Sequence, residues 1–143
     1  MSQTIIKSSI IKSSIIKFSG ICNIGLALSL AVVPLHPLLG IEIPAVWAIL
    51  LGALLLYTAS TLIIGSSDLN RYGSIIIHEA MLRFAAAALL IYASLFIEGF
   101  GPMILLAGLS DAMWGLVYLV IVPKATHMSI VELFKNENTS FQS

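Results

Sequence analysis

Apolar residues along this chain fall into four long blocks, at 18–35, 44–65, 74–97 and 102–122, separated by short polar or Gly/Pro-containing stretches. Each block is close to the ~20 residues that a helix rising ~1.5 Å per residue needs to cross ~30 Å of hydrocarbon. Helix is the only regular structure open to them. Four separate runs of this length cannot close a barrel, and in lipid every backbone N–H must be bonded within its own segment. The pattern therefore predicts an all-α, polytopic membrane protein, a bundle of four transmembrane helices. Punctuation supports the boundaries: Pro34, Pro37 and Gly40 break the chain after the first block, Gly65 to Gly73 read as a polar turn, and Gly99, Gly101 and Pro102 form a tight one. Similarity between the two helical pairs is too weak to define an internal repeat.

The blocks leave two flanks, a basic segment at 1–17 and a tail at 124–143, around a transmembrane domain at 18–123. The first flank repeats IIKSS at 5–9 and 10–14 and then begins a third copy. A five-residue period does not match ~3.6 residues per turn, so its isoleucines circle a helix instead of lining one face. A frayed extension that sets orientation is expected, in preference to an amphipathic anchor drawn to anionic lipid. In the tail, Met128, Val131 and Phe134 recur every third residue, which predicts a short interfacial turn or helix, with disorder expected over 136–143.

Composition narrows the class. Of 143 residues 59% are hydrophobic and 10% charged, against roughly a quarter charged in soluble domains. An ordinary soluble globule and a disordered chain are both excluded. Seven Lys and Arg are balanced by seven Asp and Glu, so no basic surface for nucleic acid exists. Position matters more than balance. Lys7, Lys12, Lys17, Arg71, Lys124 and Lys135 all lie on one side of an even number of spans, and the opposite loops carry no Lys or Arg. The positive-inside rule then predicts both termini in the cytoplasm. No A-x-A site follows the first block, so it is read as a retained span and not as a cleaved signal.

Familiar catalytic motifs are missing. Cys22 is the single cysteine, expected to pack within a span. His78-Glu79 opens like a zinc-protease helix, but Leu82 stands where the second histidine is required. No metal or cofactor is therefore expected. Asn138-Thr139-Ser140 matches a glycosylation acceptor, with no meaning on the cytoplasmic side.

What remains is ionisable chemistry inside the spans: Glu79 and Arg83 in the third, Asp111 in the fourth, with His78 beside them. Left unpaired near the bilayer centre, three charges would cost on the order of 8 to 10 kcal/mol, so they must meet one another or water. Glu79 and Arg83 are an i, i+4 pair in the favourable order. Counted from the cytoplasmic ends, Arg83 is about nine residues deep and Asp111 about eleven, so an antiparallel hairpin can join them. Gly101, Gly108 and Gly115, with Ala112, give the fourth helix a small-residue face that Asp111 borders. Trp114 and Tyr118 extend the Asp111 side, and Tyr57, Thr58, Thr61 and Asn23 occupy the same half of the membrane, permitting one polar cluster. Tyr57, Tyr92, Trp114 and Tyr118 each have a packing or interface reading beside the ligand reading, and Ala85 to Ala88 read as a close-packing surface.

Three functions fit these residues. A carrier, channel or binding protein would bind or conduct a small ligand or ion at Asp111, Arg83 and Glu79, with His78, Tyr57, Trp114 and Tyr118 around them. A membrane-embedded enzyme would use Asp111 or Glu79 as general acid or base on a lipid-soluble substrate, with Arg83 stabilising negative charge. An accessory subunit would use the charges as internal staples and the small-residue faces for docking. The lipid bilayer is the expected partner, with a homo-oligomer or a larger membrane complex as the assembly. The first reading is preferred.

Overall fold

The computed structural model describes residues 2–32, 44–97 and 102–135. Among them every regular element is α-helix: α1 Ser2–Ala31, α2 Ala45–Ser67, α3 Leu69–Phe96, α4 Pro102–Thr126 and a short α5 Ile130–Lys135. The first four contain stretches long and apolar enough to cross a membrane, namely Ile10–Ala31, Ala45–Ser67, Leu69–Phe96 and Ile104–Thr126. Within an apolar window of 18 residues in each stretch no more than 33% are buried, and only 17% in the fourth. Leu54, Leu82, Leu89, Leu106 and Leu116 stand exposed with many others, an apolar surface that water would penalise and hydrocarbon would not.

The chain divides into two compact units, Met1–Asp68 and Leu69–Ser143. Each is a helical hairpin with glycine at its seam. In the first, α1 packs on α2. A Cβ on Gly20 would stand 3.1 Å from the Ala59 carbonyl oxygen, and one on Gly52 would stand 2.9 Å from that of Ala27. In the second, α3 packs on α4: Gly108 lies against Ala87 and Gly115 against Ala80, with would-be Cβ to carbonyl distances of 3.2 and 3.3 Å. Steps of seven on one helix answer steps of seven on the other, the period that keeps an antiparallel seam facing its partner. Small residues there let backbones approach closely, which drives helix association where hydrophobic burial gives no gain.

The two hairpins share one burial pattern. Ile16, Ser19, Gly20, Asn23 and Ala27 are buried in α1, and at a constant offset so are Ile76, Glu79, Ala80, Arg83 and Ala87 in α3. Likewise Gly52, Ala59, Leu62 and Ser66 of α2 answer Gly108, Gly115, Tyr118 and Val122 of α4. Few of these residues are identical, which is why sequence alone shows no repeat. What recurs is burial at these positions and small residues where the helices touch.

Several boundaries differ from expectation. The repeat at the amino terminus does not fray: α1 includes it, and the Ser13 hydroxyl donates to the Ser66 carbonyl of α2. Serine and lysine do not break a helix whose backbone is internally bonded, so polarity misplaced its start. The turn expected over 65–73 shrinks to Asp68, extended at φ −147° and ψ 93°. Gly65 and Ser66 are buried in α2, and Leu69 and Gly73 in α3, because packing carries both helices past the end of the apolar run. The fourth helix continues through Pro123 to Thr126. Pro123 has no N–H, so the last turn loses one backbone hydrogen bond without ending there. The Pro34, Pro37 and Gly40 break, the Gly99 and Gly101 turn and the 136–143 tail lie outside the described residues.

The tail helix docks by a different residue from those expected. His127, at φ 58°, turns the chain after α4 in the left-handed conformation that often ends helices. Ser129 and Glu132 then form a capping box: the Ser129 amide donates to Glu132 Oε2 at 2.6 Å, and the Glu132 amide donates to Ser129 Oγ at 3.2 Å. Leu133 is buried, and its Cδ2 would touch a Cβ on Gly73 beside Val122 and Thr126. Val131 is exposed, and half-exposed Phe134 stacks on His78.

Candidate functional site

Residues 79, 83 and 87 lie one turn apart on the seam face of α3, so helical spacing places two charged side chains where the fold is driest. Arg83 and Glu79 are each 5% exposed. Arg83 Nη1 donates to Asp111 Oδ1 at 2.5 Å across the hairpin, and Asp111 keeps a quarter of its side chain exposed. Glu79 Oε1 stands 3.6 Å from Arg83 Nε, an ion pair along α3 but longer than a hydrogen bond. Arg83 Nε is buried with no hydrogen-bond partner among the described residues. Below the guanidinium lies the ring of fully buried Tyr118, 5.5 Å from Cζ, within the range of a cation–π contact. Trp114 completes the wall, tilted 38° to Tyr118 with centroids 6.1 Å apart.

Five of the seven expected site residues therefore converge: Glu79, Arg83, Asp111, Trp114 and Tyr118. His78 does not. Its exposed ring stacks on Phe134 at 4.7 Å, and Nδ1 lies 2.8 Å from the Ser74 carbonyl oxygen. A carbonyl only accepts, so Nδ1 carries the proton in that bond. One residue along a helix is ~100° around it, which turns His78 to the tail helix while Glu79 faces the seam. Tyr57 is an exposed residue of the first hairpin.

The first hairpin has its own polar pair. Buried Asn23 donates through Nδ2 to Thr58 Oγ1 at 3.0 Å, and the Thr58 and Thr61 hydroxyls return to carbonyls within α2. Of the residues expected in one cluster, Asn23, Tyr57, Thr58 and Thr61 belong to the first unit and Glu79, Arg83, Asp111, Trp114 and Tyr118 to the second. Asn23 occupies between Gly20 and Ala27 the place that Arg83 occupies between Ala80 and Ala87. Among the described residues no group of three His, Cys, Asp or Glu side chains is placed to hold a metal ion.

Sequence reasoning did not find Leu133, the capping box or the equivalence of Asn23 and Arg83. The S-x-x-E spacing of Ser129 and Glu132 was the available signal for the box. The equivalence has no signal in residue identity.

Comparison of the chain with protein-family models, with curated proteins and with solved structures gives no match.

Proposed function

We propose that this is a multi-pass integral membrane protein, both termini cytoplasmic, whose Glu79–Arg83–Asp111 cluster binds or conducts a small ligand or ion. Apolar surface along four helices and the placement of the basic residues support the setting. The observation that carries the activity is the contrast between the two seams. A neutral Asn23–Thr58 pair suffices to join the first hairpin. The second uses one guanidinium for two carboxylates, leaves Arg83 Nε–H without an acceptor and keeps Asp111 partly open. Charge and hydrogen-bonding capacity are held there beyond what stapling requires, and intramembrane ionisable groups of that kind mark ligand or ion pathways.

The test replaces the three charged residues with neutral polar ones. The Glu79→Gln, Arg83→Asn, Asp111→Thr protein keeps polar side chains at the seam and removes the charge. Wild-type and variant proteins are reconstituted in liposomes, and proton, sodium, potassium and chloride fluxes are followed with trapped dyes. In parallel, molecules retained through mild purification are identified by mass spectrometry. The expected result is flux or a retained molecule in the wild type and neither in the variant. A variant that inserts and matches wild type in both assays overturns the proposal.

A further inference from the structure

The unspent groups of the cluster define what the ligand must offer. Arg83 Nε–H is a buried donor without an acceptor, and Glu79 Oε1, an acceptor, lies 3.6 Å from it. Buried donors are almost always satisfied, and one left unpaired is costly. Two hydrogen bonds of ~2.8 Å meeting at one atom span a gap of this size. That atom must accept from Nε–H and donate to the carboxylate. An ether or ketone oxygen cannot donate, and an ammonium nitrogen cannot accept. A hydroxyl oxygen does both.

We infer that the Glu79–Arg83 edge of the cluster is a hydroxyl-binding site, whose oxygen takes the Arg83 Nε–H and whose hydrogen goes to Glu79 Oε1. The hydroxyl belongs to water or to an alcohol soluble in the bilayer. Ile76, Ala80 and Tyr118 are fully buried around the site, and Asp111 keeps a quarter of its side chain exposed. This rests on the proposed function and names the group that the site recognises.

Arg71 and Arg83 are the two arginines of the chain, so protein made with isotope-labelled arginine in lipid nanodiscs shows two Nε–H signals. Arg83→Lys identifies the second by its loss. Dodecanol and dodecyl methyl ether are the probes, and magnetisation transfer from water is measured without either. A shift of the Arg83 signal with the alcohol and not with the ether supports the site and assigns it to a lipid-soluble alcohol. Transfer from water with no alcohol shift supports it and assigns the hydroxyl to water. Equal shifts with alcohol and ether, or neither shift nor transfer, overturn it. If the hydroxyl fails while the Glu79→Gln, Arg83→Asn, Asp111→Thr protein still loses flux or ligand, the proposed function stands without it. If that variant behaves as wild type, the function falls whatever the Nε–H signal shows.

Discussion

Asn23 and Arg83 hold the same place in their respective hairpins, each flanked by two small-residue contacts and each bonded to a side chain of the opposite helix, Thr58 or Asp111. One is neutral and one charged, so their energetics differ. Removing Asp111 alone strands a buried guanidinium. We expect Asp111→Leu to destabilise the second hairpin by ~3 to 5 kcal/mol, and Glu79→Leu, Arg83→Leu and Asp111→Leu combined to recover most of that. Unfolding in mixed micelles, followed by helix signal, measures both. A triple variant no more stable than the single one would show that the ion pairs themselves hold the hairpin.

Glycine substitutions should separate seam from exposed face. A Cβ on Gly52 would stand 2.9 Å from the Ala27 carbonyl oxygen, a backbone atom that cannot swing away, whereas one on Gly25 meets nothing within 4 Å. Gly52→Ala is expected to destabilise the first hairpin by ~1 to 3 kcal/mol through overpacking. Gly25→Ala should be neutral or stabilise by up to ~1 kcal/mol through helix propensity. The same unfolding assay ranks them, and equal effects would contradict the seam.

Leu133 is the side chain that seats α5 on Gly73, Val122 and Thr126. Leu133→Ala removes most of the buried surface of a six-residue helix, at a cost of ~2 to 5 kcal/mol for such truncations in close-packed cores. Undocking should follow, with faster backbone hydrogen exchange at 130–135 and release of Phe134 from His78. Val131→Ala, at an exposed position, should leave exchange there unchanged.

The capping box makes the start of α5 sensitive to acid. Hydrogen bonds from the Ser129 amide and hydroxyl hold the Glu132 carboxyl below its ordinary value. For an acid whose folded pKa is depressed, the stabilisation is present above the unfolded pKa and disappears as pH falls through the folded one. Exchange at the Ser129 amide should therefore stay slow through neutral pH and rise, relative to its intrinsic rate, below the ordinary carboxylate range. Glu132→Gln should flatten that dependence.

The charged site was largely legible in the chain. The i, i+4 spacing of Glu79 and Arg83 and their depth relative to Asp111 left an antiparallel pairing as the economical solution, because unpaired charges in hydrocarbon are so costly. The glycine face of α4 was legible for a similar reason, since seven-residue spacing of small residues has few other uses in a span. His78 was misplaced because a sequence neighbour of Glu79 is not its neighbour in space. The helix starts at Ser2 and Leu69 were illegible because polar residues conceal helices that packing carries past the apolar run.

Sequence by itself determined the number of long apolar helices and the residues that could carry charge within them, since these follow from hydrocarbon thickness and the cost of burying charge. Tertiary structure decided which face each helix buries, and so which polar groups meet. Asn23 found Thr58, His78 turned to Phe134, and Arg83 reached Asp111 while its Nε–H stayed unbonded beside Glu79. The physical reason is that burial in a hairpin depends on how closely two backbones approach. The glycines of one helix set that distance only against the alanines of the other.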